Sequence, residues 1–213
     1  MSNPLAIAGF GAQSARLRMA WTELLLHYVR ALFYIIYRAK NERIFFMIAL
    51  QISELKDFMN KFLCSEVFDN FLLQEASIQG NVTYHIEGGL HTDFYSSDEL
   101  ETEGLTGLSF IPYGKVRTQC FDLIKGKRTP SFFKFVLLLS PANLTNTLER
   151  SHSSFSANDI TGAFINLKFQ NGTLILTTGV SYRIFSVDKS FEQEWDALVK
   201  RFLTNHEISY EIL

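Results

Sequence analysis

The sequence predicts a single α+β domain, in which helices pack mostly on one face of a mainly antiparallel sheet of about six strands. Apolar and polar residues alternate over Ala163–Gln170, and Asn171-Gly172 and Thr173–Thr178 follow, a pattern typical of a β-hairpin. Phe132–Leu139 is a nearly continuous apolar run of the length of a buried strand. Residues 190–203 carry an apolar stripe at helical spacing, which predicts a C-terminal amphipathic helix.

The composition is that of an ordinary globular protein. The 213 residues are 47% hydrophobic and 20% charged, which excludes a disordered chain and a disulfide scaffold. Twenty phenylalanines predict an aromatic-rich core. The two cysteines, Cys64 and Cys120, lack metal-binding spacing. We therefore expect buried free thiols in the reducing cytoplasm.

Residues 1–46 differ from the rest, which places a predicted boundary at Met47. They carry six Lys/Arg and two Glu, whereas residues 47–213 have a net charge of −6. This acidic balance argues against general nucleic-acid binding. Three interpretations of this leader stay open: a non-native extension upstream of a start at Met47, an amphipathic helix that associates with a membrane through residues 21–37, and an ordinary packed helix. Residues 47–213 form the predicted domain.

The helices of the first half are predicted from caps and periodicity. A strand begins at Met47, and Ser53 is the expected N-cap of a helix that ends near Cys64. The acidic and Gly-rich stretch over 96–114 predicts a short helix followed by a loop. The pattern of Val116–Ile124 fits a helix or a strand.

Two chain reversals are predicted between these helices. Strands over Phe71–Ile78 and Val82–Glu87 flank Gly80-Asn81, which is typical of a type II′ turn. Gly88-Gly89 predicts a second reversal, into a strand over Leu90–Tyr95.

The second half continues the pattern. A helix is expected over Asn143–Arg150 after Pro141. Gly179 predicts a turn or bulge before a strand over Tyr182–Val187. The sequence Ser190-Phe-Glu-Gln193 is typical of a capping box. Residues 206–213 then form an edge strand or fray.

The sequence contains no complete catalytic motif. Gly126-Lys127 lacks the other positions of a P-loop. Ser181 follows Gly179 as in a nucleophile elbow, but Arg183 stands where the second glycine is needed. His85, His91 and Asp93 are residues that bind metals, but a two-residue turn at Gly88-Gly89 would point the histidines to opposite faces of the sheet. We therefore expect no metal site and no cofactor, and the catalytic residues stay unknown.

The loop after Ile124 is the remaining candidate site. Lys125, Lys127 and Arg128 surround Gly126 and precede Pro130. Such a group of cations fits a phosphate or another anion. The alternatives are a solvated turn that keeps the next apolar strand soluble, and a protein interface.

The domain resembles a family of small uncharacterised bacterial proteins that is classed only as a domain of unknown function. The resemblance covers about residues 47–213 and implies no known activity, cofactor or catalytic residue. It rests on five stretches, namely Met47-Ile-Ala-Leu, Phe68-Asp-Asn-Phe-Leu-Leu, Leu123-Ile-Lys-Gly-Lys-Arg-Thr-Pro130, Leu139-Ser-Pro141, and Asp188-Lys-Ser through Trp195-Asp196.

Two functions follow as hypotheses. The first is a non-enzymatic cytoplasmic domain that binds a protein partner or an anionic ligand through one face or the basic loop. The alternative is an enzyme that acts on a small phosphorylated or anionic substrate, with Lys127 and Arg128 as anion clamps. A closed pocket with convergent polar groups beside the loop would favour the enzyme.

Overall fold

The computed structural model describes residues 45–151, 154–183, 185 and 188–213, without the side chains of 45–47 and 151. The predicted leader, residues 1–46, thus lies outside the described residues except for the backbone of Phe45 and Phe46. These two residues open the first strand, where they pair with Val180 and Gly179. The strand therefore begins two residues before the predicted boundary at Met47.

The fold confirms the α+β class and the antiparallel sheet. In the described chain the sheet has seven strands in the order β3-β2-β4-β5-β6-β1-β7, and every pair is antiparallel. The strands are β1 (Phe45–Ile52), β2 (Leu72–Gln79), β3 (Thr83–Glu87), β4 (Phe132–Leu138), β5 (Ile160–Gln170), β6 (Thr173–Tyr182) and β7 (Tyr210–Ile212). The helices are α1 (Leu55–Cys64), α2 (Ser97–Thr102), α3 (Tyr113–Ile124), α4 (Pro141–Ser151) and α5 (Ser190–Asn205), with a 3-10 turn at Thr92–Phe94.

The main core lies between the sheet and four helices. Alternate residues of β5 and the buried faces of α1, α3, α4 and α5 belong to one hydrophobic cluster. Phe62 of α1 lies at an aromatic centre, with its ring 4.7 Å from that of Tyr113 and 5.0 Å from that of Phe135. Trp195 is fully buried, and its Nε1 donates a hydrogen bond to the Phe164 carbonyl at 3.0 Å. The predicted aromatic-rich core is thus present.

A smaller cluster lies on the other face of the sheet. Leu72, Val136, Leu138 and Phe164 are buried there, and Leu108 and Phe110 pack against them. This explains why β4 is apolar at nearly every position. Its second half is covered on both faces, as a continuous apolar run predicts.

The predicted count of six strands is wrong, and β7 supplies the seventh. Tyr210–Ile212 pairs with Leu50–Ile52 of β1, whose outer edge would otherwise lack a partner. The expected strand over Tyr182–Val187 lies partly outside the described residues. Gly179 makes no turn, because it pairs with Phe46 and Phe164 inside β6. β6 ends at Tyr182, and residues 184, 186 and 187 lie outside the described chain.

The Asn-Gly hairpin is present, whereas the type II′ turn is not. Asn171 and Gly172 have φ values of 53° and 80°, the positive pair that a type I′ turn requires. Neither Gly80 nor Asn81 has a positive φ. The β2–β3 loop has three residues instead, and the Gly80 amide donates to the Val82 carbonyl at 3.0 Å.

The predicted reversal at Gly88-Gly89 is also wrong. The Gly88 amide donates to the Gln74 carbonyl at 2.9 Å, and its own carbonyl accepts from Ile111 at 2.8 Å. The chain therefore continues outward, beside a segment that is remote in sequence. No strand forms over Leu90–Tyr95, which contains the 3-10 turn.

Two predicted helix caps differ from those observed. Ser53 lies one residue too early, because α1 begins at Leu55 and Glu54 precedes it. Ser190 is already the first residue of α5, so it does not form the predicted capping box. Its amide donates to the Asp188 carboxylate at 2.9 Å instead. A capping box does form at α2, where the Ser96 hydroxyl accepts from the Glu99 amide. Val116–Ile124 is helical, within α3.

Candidate functional site

The basic loop joins α3 to β4 at the solvent. Lys125, Lys127 and Arg128 are all exposed. The Lys125 ammonium lies 2.6 Å from the Asp122 carboxylate and 5.2 Å from the centre of the Phe121 ring. Within the described residues, Lys127 and Arg128 have no ion-pair partner.

The cations that neighbour this loop in sequence are held elsewhere. Lys115 pairs with Glu103, and Lys134 lies 2.7 Å from Glu75. The Arg117 Nε lies 2.8 Å from Asp69. Among the described residues, Lys127 and Arg128 are therefore the unpaired cations of the loop, while Lys115, Arg117 and Lys134 are engaged by carboxylates.

The histidines do not lie as the predicted turn required. His85 is on β3, and its Nδ1 lies 2.7 Å from the Ser77 hydroxyl. His91 precedes the 3-10 turn instead of facing β3 across a hairpin. In the chain as described, no three His, Cys, Asp or Glu side chains converge on a point that a metal ion could occupy.

The two thiols have different environments. Cys120 is buried, and burial raises the pKa of its thiol to about 12, so the thiolate needed for nucleophilic chemistry is scarce at neutral pH. Cys64, the last residue of α1, is exposed. The prediction that both thiols are buried is therefore wrong for Cys64.

The structure does form a groove at the other end of β4. It has a volume of about 650 Å³ and lies between α4, α5 and the segment that precedes β2. Helix α4 turns a polar face to the groove and an apolar face to the core. On α4, Asn143, Asn146 and Arg150 line the groove, while Leu144 and Leu148 point into the core. The spacing i, i+3 and i+7 places these polar side chains on one face of the helix.

The floor of the groove is apolar. Phe202 of α5 lies in this floor, with the rings of Phe68 and Phe71 at 5.3 and 5.4 Å and the ring of His206 at 4.7 Å. These edge-to-face contacts fix the position of Phe202. The floor residues are Val67, Phe71, Leu139, Leu198 and Phe202.

The rim of the groove is polar and carries both charges. Arg201 lies 3.7 Å from Glu194, whereas Arg150 has no ion-pair partner among the described residues. Asn70, Asn143 and Asn146 contribute side-chain amides, and Glu66, Thr147 and His206 complete the rim. The Thr147 hydroxyl is buried and donates to the Asn143 carbonyl at 2.7 Å.

Two further clefts are less enclosed. One is lined by residues of α1 and by Phe121, and the other lies around the 3-10 turn, with His91, Asp93 and Phe94 on its wall. Lys125, Lys127 and Arg128 line none of these three clefts.

Sequence reasoning missed the groove. Its floor comes from three separate stretches of the chain, and no motif links them. A weak signal existed in α4, where Asn143, Asn146 and Arg150 repeat at helical spacing opposite Leu144 and Leu148. That pattern predicts an amphipathic helix but not that its polar face borders a groove.

The fold and the groove define an α+β protein with an antiparallel sheet and a cleft between two helices. The chain belongs to the family of unknown function DUF5721, whose model matches residues 61–211. This confirms the resemblance to a domain of unknown function. No curated protein and no solved structure matches the chain. Of the helices described, none is both long and apolar enough to cross a membrane.

Proposed function

We propose that this protein is a non-enzymatic interaction module that binds a short segment of a partner protein in the groove between α4 and α5. The observation that carries the proposal is the composition of the groove. An apolar floor inside a polar rim that contains arginine is the arrangement typical of protein interfaces. The volume of about 650 Å³ suits a few residues of a peptide.

The rim favours a peptide with an acidic residue. Each of the Asn70, Asn143 and Asn146 amides can both donate and accept hydrogen bonds, which matches the alternating groups of an extended main chain. Arg150 offers a planar guanidinium without an ion-pair partner among the described residues, and such a group binds carboxylates in bidentate fashion. The floor around Leu198 and Phe202 accepts an apolar side chain.

The groove is less suited to catalysis. Among the described residues, its lining contains no Ser, Cys, Lys or Tyr, and the one hydroxyl found there, that of Thr147, donates to the Asn143 carbonyl. The groups whose pKa is raised, Tyr113, Cys120, Tyr182 and Asp196, do not line it. An enzyme that acts through Lys125–Arg128 has weaker support, because none of the three clefts includes that loop.

The cytoplasmic location stays a prediction.

Peptide selection tests the proposal. Peptides from a displayed random library are selected on the full chain, and the affinity of the enriched peptides is measured by fluorescence anisotropy. We expect enrichment of an apolar residue close to Asp or Glu. Leu198→Arg places a charge on the floor and should weaken binding about tenfold or more, because central apolar contacts dominate such interfaces.

Two variants sharpen this test. Val82→Arg makes a similar change at an exposed residue of the β2–β3 loop, at the opposite end of the sheet, and should bind like the wild type. Arg150→Glu should shift the selected peptides from acidic to basic residues. The proposal fails if no peptide binds above background, or if Leu198→Arg and Val82→Arg bind equally well.

A further inference from the structure

The free edge of β3 presents a regular row of backbone groups. β3 is an outer strand of the sheet and pairs only with β2 among the described strands. The Gly88 amide bonds to Gln74 on β2, and the Val82 carbonyl accepts from Gly80. Because backbone groups alternate in direction along a strand, Tyr84 and Ile86 also face β2. The N–H and C=O groups of Thr83, His85 and Glu87 therefore point away from the sheet.

This edge lacks three of the devices that keep edge strands apart, namely proline, lysine and a bulge, although β3 is short and ends in Glu87. Residues 83–87 contain no proline and no lysine, and the β2–β3 register is unbroken, although such features normally prevent edge-to-edge pairing. Large apolar side chains are also exposed on β3 or close to its ends. Val82 is 49% exposed, Tyr84 40% and Phe94 81%.

We propose that two copies of this chain form a dimer by antiparallel pairing of their β3 strands about a two-fold axis at His85. In this register, Thr83 of one copy lies opposite Glu87 of the second copy, and the two His85 residues face each other. All three outward residues of each strand then lie in hydrogen-bonded pairs. Each pair of this kind contributes two bonds, so every outward group of the strand finds a partner. If the two-fold axis lay at Tyr84 or Ile86 instead, one of the three outward residues would extend past the end of the other strand and would have no partner there.

The side chains complement one another in this register. On the core side of the sheet, Tyr84 lies opposite Ile86 of the second copy, a favourable aromatic and β-branched pair. On the other side of the sheet, Glu87 lies opposite Glu75 of β2 in the same copy. In the described part of the chain, the ion pair of Lys134 is with Glu75 and not with Glu87. Glu87 becomes the diagonal neighbour of His85 of the second copy, a contact within reach of these side chains.

The exposed apolar residues also come together. Phe94 and Glu87 line the same cleft, which places Phe94 at the C-terminal end of β3. Antiparallel pairing brings that end beside Val82 of the second copy. Because of the two-fold axis, this arrangement occurs twice in the dimer, once at each end of the paired strands. This inference does not depend on the groove, and either proposal can fail alone.

Sedimentation velocity of the full chain tests the dimer. We expect a reversible monomer–dimer equilibrium between low and high micromolar protein concentrations. His85→Pro removes one outward amide and should raise the dimer dissociation constant about tenfold or more. Ile212→Pro is the matched control on the opposite edge. The Leu213 amide bonds to Ala49 of β1, so Ile212 faces outward there, and this variant should dimerise like the wild type.

Cysteine cross-linking tests the register and does not depend on whether the proline variant folds. In a Cys64→Ser background, His85→Cys should form a disulfide-linked dimer on oxidation, because residues in such a pair lie about 5.5 Å apart between Cα atoms. Thr83→Cys, which faces Glu87 of the second copy, should cross-link far less. The proposal is overturned if the wild type stays monomeric at every concentration, if His85→Pro dimerises as well as Ile212→Pro, or if Thr83→Cys cross-links as efficiently as His85→Cys.

Discussion

At the scale of single residues, Gly88 shows how a small side chain can be required by a distant contact. A Cβ atom at Gly88 would lie 1.8 Å from the Leu73 carbonyl oxygen, which belongs to the backbone of β2. The neighbouring Gly89 has no atom within 4 Å of the corresponding position. Both glycines look like turn residues in the sequence. Only at position 88 does the structure require a glycine, because any larger residue would collide with the backbone of β2.

We predict that Gly88→Ala destabilises the protein and that Gly89→Ala does not. The added methyl group at position 88 forces backbone apart, so the free energy of unfolding should fall by about 1–3 kcal/mol or more. Gly89→Ala should stay within about 0.5 kcal/mol. Urea denaturation of the two variants measures both values. Equal stabilities would show that Gly88 does not approach β2 this closely.

Asp196 predicts a pH dependence at the same scale. Burial raises the pKa of its carboxyl, although a hydrogen bond from the buried Thr178 hydroxyl at 2.5 Å and the nearby Lys200 act in the opposite direction. A folded-state pKa above the unfolded one favours folding in acid, and this contribution is lost as the pH rises through the folded pKa.

We therefore predict that Asp196→Asn gains stability relative to the wild type as the pH rises from about 4 to 7. The Asn side chain carries no charge to desolvate, and its carbonyl still accepts from Thr178. Urea denaturation of both proteins at several pH values gives the difference in the free energy of unfolding. A difference that does not change with pH, or that shrinks toward neutral pH, would contradict the expected direction.

At the scale of elements, local patterns were reliable where both partners lie close in sequence. β5 and β6 were predicted because strict alternation surrounds an Asn-Gly pair, and the two residues adopt the positive φ values that this turn requires. The amphipathic helix α5 follows from its apolar spacing in the same way. The hairpin at Gly80-Asn81 was predicted correctly, although its turn is not of type II′. The reversal at Gly88-Gly89 was predicted with the same rules and was wrong. Gly88 is fixed by Gln74 and Ile111 rather than by its neighbours.

The hairpin supplies a prediction at this scale. Gly172→Val places a β-branched residue at a φ of 80°, a conformation that such residues resist. No atom lies within 4 Å of the added Cβ, so backbone strain alone should lower the free energy of unfolding by about 1–3 kcal/mol. Thermal or urea unfolding measures this loss. Gly172→Asn, which tolerates the positive φ better, should retain most of the stability. Unchanged stability in Gly172→Val would mean that the turn relaxes to another type.

At the scale of the whole molecule, the basic loop and the groove between α4 and α5 lie at opposite ends of β4. The basic loop lies at the start of β4, and the groove lies beyond the end of the same strand at Leu139. The seven residues of β4 span roughly 20 Å, which exceeds the distance of about 8–10 Å over which salt screens exposed charges. The loop and the groove are therefore electrostatically independent sites.

We predict that Lys127→Ala combined with Arg128→Ala changes the free energy of unfolding by no more than about 0.5–1 kcal/mol. Both side chains are exposed and unpaired among the described residues. If the loop binds anions, the double variant should also lose affinity for inorganic phosphate or a nucleotide at low salt, with a weaker salt dependence. Calorimetric titration measures this. An unfolded double variant would make these residues structural, and a wild type that binds neither probe would leave the loop as a solvated turn.

The sequence by itself determined the fold class, the aromatic core, the Asn-Gly hairpin, the C-terminal helix and the exposure of Lys125, Lys127 and Arg128. Each of these depends on periodicity, propensity or charge within a short window. The tertiary structure alone decided the strand order, the seventh strand, the contact at Gly88 and the groove. The groove, for example, joins Phe71, Leu139, Arg150 and Phe202 across more than a hundred residues of chain. Contacts between such separate segments are set by how the elements pack rather than by any local pattern.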